Sequence, residues 1–169
     1  MIRLIKPSIA YKESFLEAVK EFHKEKRNQD IESEQSPKQF AEFVRKLKNQ
    51  EKGIGLPKGY VPASTYWLVA EGNFIGKASI RHKLNKKLYR EGGHIGYEIR
   101  PSERKRGFGK KILELAIKKT IKLDINKILV TCNDNNIGSW KIIEANGGIL
   151  QNKVKDEDKL LRRYWIRVS

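Results

Sequence analysis

Gly93-His94-Ile95-Gly96-Tyr97-Glu98-Ile99-Arg100-Pro101-Ser102-Glu103-Arg104-Lys105-Arg106-Gly107-Phe108-Gly109-Lys110-Lys111-Ile112-Leu113 is the run on which the fold turns. It predicts a strand over His94 to Arg100, a tight glycine turn and the start of a helix. Pro101 closes the strand because it has no N–H to donate to a ladder. The helix shows as periodicity: Ile112, Leu113, Ala116, Ile117, Thr120 and Ile121 form one stripe, and Lys110, Lys111, Glu114, Lys118, Lys119 and Lys122 lie opposite. Between strand and helix sits Arg104-x-x-Gly107-x-Gly109. Successive amides there can point one way, and the positive end of the helix dipole adds to them. Glycine removes the bulk that would keep a phosphate away. The expected ligand is a pyrophosphate. The spacing is neither the P-loop pattern nor the dinucleotide fingerprint.

Outward from this run, the chain is expected to alternate as follows. Met1 to Lys6 is a first strand, and Ser8 to Glu25 a helix with Phe15, Val19 and Phe22 on one face. Pro37 opens a second helix faced by Phe40, Phe43, Val44 and Leu47. The segment Pro37 to Tyr60 contains no expected strand. Thr65 to Ala70 and Phe74 to His82 form a hairpin about Glu71-Gly72-Asn73, and Lys83 to Gly92 is a polar connection. Lys127 to Cys132 completes a strand–helix–strand unit with the central strand, which implies parallel neighbours there. Ile137 to Ala145 is a helix ended by Asn146-Gly147-Gly148. Ile149 to Leu150 and Leu161 to Val168 are the last strands, with a charged tip over Lys153 to Lys159.

The motif Arg104-x-x-Gly107-x-Gly109 resembles the pyrophosphate loop of the GNAT superfamily of N-acetyltransferases. Asn136-x-x-Ser139-x-x-Ile142-Ile143-Glu144-x-x-Gly147-Gly148 is similar to a second segment of that family. The likeness is greatest to a bacterial group of predicted acetyltransferases, through Ile80 to Asn85, Gly92 to Tyr97, Arg100 to Arg104 and Val130 to Cys132. The resemblance implies the α/β acyl-CoA N-acyltransferase fold: a single domain over 1–169, with a central mixed sheet flanked by helices. It implies acetyl-CoA as co-substrate with no metal, and an amine acceptor, small molecule or protein. The backbone of Tyr97 to Ile99 would contact the pantetheine and acyl group, and the segment Pro37 to Tyr60 would be a candidate substrate gate. The loop Arg104, Lys105, Arg106, Gly107, Phe108, Gly109 and Lys110 would cradle the pyrophosphate. Asn136 and Ser139 would lie beside the pantetheine or sulfur. Many members carry a tyrosine acid where this chain has Ile143; Tyr97, Ser139 or a water could replace it.

In that reaction the amine must attack neutral. Deprotonating a lysine ε-amine at pH 7 costs about 4–5 kcal/mol, and an α-amine about 1 kcal/mol. His94 and Glu98 are the candidate bases on the central strand; they share one sheet face, with Tyr97 on the other. His94 could equally be a strand-edge histidine bonded to backbone, and Glu98 a structural ion pair. Arg81 and His82 could line the same cleft. Cys132 lacks His and Asp partners in a recognisable pattern, so it reads as a small apolar residue. Trp67, Trp140 and Trp165 read as core or cleft walls.

Composition bounds the alternatives. A chain of 169 residues with one cysteine has no internal disulfide framework, and a reducing, cytoplasmic setting fits. No apolar run reaches the ~20 residues of a membrane span. The 36 Lys+Arg against 20 Asp+Glu give a formal charge of +16. Either lysine decorates solvated faces, or the charge meets an anionic partner such as nucleic acid, ribosome or coenzyme A. The alternative function is therefore a basic RNA- or ribosome-binding or acyl-CoA-sensing module with a vestigial cleft. A homodimer is compatible with either.

Overall fold

The computed structural model describes residues 1–169. A four-stranded antiparallel sheet is ordered β1 (Ile2–Ile5), β2 (Ala63–Ala70), β3 (Asn73–Arg81), β4 (Ile95–Ile99). A three-stranded antiparallel sheet is ordered β5 (Lys127–Asn133), β7 (Lys159–Arg167), β6 (Ile149–Asp156). The β2–β3 hairpin turns on Glu71 and Gly72, both left-handed at φ 51° and 80°, which matches the twist of the flanking strands.

Helices α1 (Lys12–Lys24) and α2 (Pro37–Glu51) cover one face of the first sheet. A 3-10 turn over Ile9–Tyr11 occupies what reads as the first turn of α1, with Ser8 Oγ accepting the Ala10 amide at 3.2 Å. A reciprocal capping box opens α2: Ser36 Oγ accepts from the Gln39 amide, and Gln39 Oε1 accepts from the Ser36 amide at 2.8 Å. Phe15, Phe22, Phe40, Trp67 and Phe74 form the core beneath, Phe15 stacked on Trp67 at 4.6 Å. Burying each such side chain contributes roughly 1.5–3 kcal/mol. Helix α4 (Phe108–Thr120) packs Ile112, Leu113 and Ala116 against residues of both sheets, among them Ile80, Ile95, Ile128 and Tyr164. Ile121 leaves that stripe and is exposed, because the chain tightens to 3-10 geometry over Ile121–Leu123.

The parallel pairing expected for β4 and β5 does not form. One backbone hydrogen bond joins the strands at their root, from the His94 amide to the Leu129 carbonyl at 2.8 Å. The return bond, 2.9 Å from the Leu129 amide, goes to His94 Nδ1 instead of main chain. The preceding turn sets this geometry, with Gly92 and Gly93 at φ 106° and 62°; a Cβ on Gly93 would collide with the Leu129 carbonyl. Beyond that tether the strands part, so the expected mixed sheet is two antiparallel sheets with a gap between them.

Two further elements differ from the sequence reading. The polar connection contains a short helix, α3 (Lys86–Arg90), nucleated by Asn85 Oδ1 accepting the Leu88 amide at 2.9 Å. The charged tip shrinks to Glu157 and Asp158, because Lys153, Lys155 and Asp156 extend β6 in register with β7. Trp67 is fully buried, while Trp140 and Trp165 are half-buried beneath Arg162 and Lys127.

Candidate active site

Two cavities meet at β4. The first, about 460 Å³, follows the gap between the sheets to the start of α4. Its floor is main chain. None of the amides of residues 105–110 has an acceptor within the protein; helical bonding starts with the Lys111 amide on the Gly107 carbonyl. Lys105 and Gly107 adopt φ 60° and 84°, which turns the loop so that its amides converge at the positive end of α4. A Cβ on Gly107 would meet nothing within 4 Å, so open space lies over the loop. Gly109 is needed for another reason: its Cβ would stand 2.6 Å from Ile142 Cδ1 of the neighbouring helix α5 (Ile137–Ala145).

Along β4, the bonds Arg81 N–H to His94 O and Arg100 N–H to Ile75 O turn the main-chain groups of Gly96 and Glu98 toward β3. Strand alternation then turns those of Tyr97 and Ile99 into the gap, where β5 does not claim them. Asn136, Gly138 and Ser139 line the opposite side; Asn136 Oδ1 caps α5 by accepting the Ser139 amide at 3.1 Å.

The charged residues of the loop divide. Lys105 and Lys110 line the cavity, exposed and without a carboxylate partner. Arg104 also lines it but is committed elsewhere: its guanidinium forks onto Glu25 of α1 at 2.7 and 2.9 Å, and its Nε donates to the Ile99 carbonyl. That pair holds Glu25 below the usual carboxylate range. Arg106 is paired with Glu103 and lies over the Phe108 ring; neither Arg106 nor Phe108 lines this cavity. The loop motif thus contributes amides and two lysines, while its arginines brace it.

The second cavity, about 500 Å³, lies on the α1/α2 side of the same strand. Phe15, Phe43, Leu47 and Trp67 give it an apolar wall; Lys77, Arg81 and Glu98 stand on its sheet side. Phe43, Leu47 and Gln50 of α2 bring the expected gate segment to it. Asp30 also lines it as an exposed carboxylate outside any ion pair. Arg27, Tyr97 and Glu98 line both cavities and mark the junction.

At that junction Tyr97 Oη lies 3.3 Å from Ser139 Oγ. Burial pushes the phenol up to about 12, against the lowering effect of Ser139. Glu98 is nearly buried and fully engaged: Arg27 at 2.8 Å, Lys77 at 3.0 Å and Asn28 Nδ2 at 2.9 Å. His94 lines neither cavity; its Nδ1 lone pair is spent on the Leu129 amide. Burial, and secondarily the charge of Arg81, lower its pKa and keep it neutral. Of the expected cleft pair, Arg81 lines the second cavity, whereas His82 Nε2 sits 2.7 Å from Ser64 Oγ in a network with Glu51 and Lys6. Ile143 is core, and Cys132 is buried with its thiol pushed up to about 11. Arg27 and Lys77 could not be found from motif spacing, because contacts 71 and 21 residues apart deliver them to Glu98.

The family model for the Acetyltransferase (GNAT) domain matches residues 8–149, and the chain belongs to that family. No curated protein matches. Among solved structures it is similar to the ribosomal L7/L12 alpha-N-protein acetyltransferase RimL in complex with coenzyme A (14% identity, TM-score 0.72, covering 99% of this chain and 94% of that one). It is also similar to the microcin C7 self-immunity acetyltransferase MccE in complex with acetyl-CoA and AMP (11%, 0.71, 99% and 92%). A third is the ribosomal-protein-S5-alanine acetyltransferase from Vibrio fischeri (16%, 0.68, 98% and 91%). No helix is long and apolar enough to cross a membrane.

Proposed function

We propose that this chain, acting as one domain over 1–169, transfers an acetyl group from acetyl-CoA directly to a primary α-amine. The observation that carries the reading is the junction: a groove of unclaimed amides on one side of β4 and a side-chain cavity on the other share Arg27, Tyr97 and Glu98. Loop amides 105–110, with Lys105 and Lys110, fit a diphosphate, and the free main-chain groups of Tyr97 with the Ile99 amide fit the amides of a pantetheine arm. Acetyl-CoA, when bound, supplies a thioester activated for attack by nitrogen.

The chain's own residues do the rest. Main-chain donors in the gap polarise a carbonyl without reorganising. Tyr97 holds its proton firmly, so it donates a hydrogen bond shared with Ser139 and does not ionise at neutral pH. Glu98 is held by two cations and an amide, and His94 spends its ring lone pair on the Leu129 amide, so neither of the expected bases stands clear of protein partners. This favours an acceptor that needs little help to lose its proton: an α-amine at about 1 kcal/mol over a lysine at about 4–5 kcal/mol. RimL is described as an alpha-N-protein acetyltransferase, which agrees with that choice. A cytoplasmic setting is consistent, and the +16 charge suits anionic reactants, the phosphates of acetyl-CoA among them; homodimerisation is compatible with it.

The test pairs acetyl-CoA thermal shift with thiol release on an amine panel. Stabilisation by acetyl-CoA and turnover of α-amines well above that of matched ε-amines is expected. An absence of stabilisation would end the transferase reading.

A further inference from the structure

Arg81 is the one guanidinium on the second cavity that no carboxylate compensates. Arg27 and the neighbouring Lys77 share the Glu98 carboxylate, but Arg81 takes part in no ion pair. Only Nη1 has protein partners, the carbonyls of Gly92 at 2.9 Å and Gly93 at 3.3 Å. Nη2 lies over Gly96, where a Cβ would meet it at 3.2 Å. Neither Nε nor Nη2 has an acceptor, and neither is sealed from solvent. Arg81 also lines an adjoining cavity of about 330 Å³ that shares Ser79 and Gln50 with the second.

A half-buried cation without a partner is costly. Here it is also immobilised, since two carbonyls pin one nitrogen and leave the rest of the fork facing the cavities. Such a fork matches the two oxygens of a carboxylate and loses little further freedom on binding one. Distance narrows the ligand. Gly96 and Glu98 are two residues apart on β4, roughly 7 Å along the strand. An acceptor with its amine at the junction and its carboxylate over Gly96 therefore spans about two residues of extended chain.

We propose that Arg81 is a specificity-determining residue and that the acceptor is a small amine of dipeptide length with a free carboxylate bound by the Arg81 fork. The inference rests on the transferase reading proposed above and places the acceptor in the second cavity. Binding of a product analogue tests it without turnover: N-acetyl-alanyl-alanine against its C-terminal amide, titrated calorimetrically into the protein with coenzyme A present. The acid should bind about tenfold tighter than the amide, as expected of a charge-assisted pair. Arg81→Gln should abolish that preference. Because Arg81 also holds the turn at Gly92 and Gly93, Gly96→Ala is the second variant: it keeps the arginine, crowds the face of its fork at both Nη1 and Nη2, and should erase most of the preference. Equal binding of acid and amide by the unaltered protein would overturn the proposal. Preferential binding of the acid with no turnover of any amine would leave the Arg81 carboxylate site standing and overturn its assignment to an acceptor.

Discussion

The two cavities that meet at β4 are built from different material. The groove toward α4 is main chain: loop amides 105–110 and the outward groups of Tyr97 and Ile99. The cavity toward α1 and α2 is side chain: aromatic wall, Arg81, Lys77, Glu98 and Asp30. Main-chain donors are indifferent to most substitutions outside glycine, so the first cavity suits a ligand that never changes. Side chains can be exchanged one at a time, so the second suits a specificity particular to this protein. Glu98 shows how the second is tuned, since two cations from separate segments neutralise one carboxylate at the boundary.

The contrast can be broken from either side. The largest effect is expected from Gly107→Glu, which puts a side chain at φ 84° and a negative charge over the unclaimed amides. Coenzyme A affinity should fall at least about 100-fold by calorimetry, with the carboxylate selectivity of the second cavity unchanged. Tyr97→Phe comes next. It removes only the hydroxyl shared with Ser139 and should lower kcat by about tenfold to a hundredfold while the KM for acetyl-CoA holds. An unchanged kcat would take Tyr97 out of the chemistry. Glu98→Gln should act on the acceptor side alone. Freed Arg27 and Lys77 should raise the acceptor KM severalfold, with the coenzyme A dissociation constant constant; a collapse of kcat instead would restore Glu98 as the base.

The smallest effect concerns the tether. Folding lowers the pKa of His94 through burial, so well above pH 6.5 both the folded and unfolded states carry a neutral ring and stability does not vary with pH through it. As pH falls below 6.5 the unfolded chain binds the proton first, and stability is lost until the lower folded value is reached. His82, also lowered by burial, adds to the slope. Denaturant midpoints between pH 7 and 5 should therefore fall. The fall should be shallower in His94→Gln, whose turnover per folded molecule stays near that of the parent.

The material of each cavity also governs what could be read beforehand. Arg104-x-x-Gly107-x-Gly109 and Asn136-x-x-Ser139 are local patterns, and each lands on the donor groove. Within the motif, spacing does not tell which cations are free. Arg104 and Arg106 look like phosphate ligands until Glu25 and Glu103 are seen holding them. His94 likewise has the right chemistry for a base, and its diversion to the Leu129 amide depends on a strand 35 residues away.

The sequence by itself determined the order of elements, the amide-lined turn at the start of α4 and the family, because these rest on periodicity, proline and glycine chemistry over short spans. Tertiary structure alone decided that β4 and β5 part instead of pairing, and that Glu98 is neutralised while Arg81 is left open. Those outcomes depend on long-range contacts, in which a side chain's role is set by whichever neighbour reaches its lone pairs or its charge first.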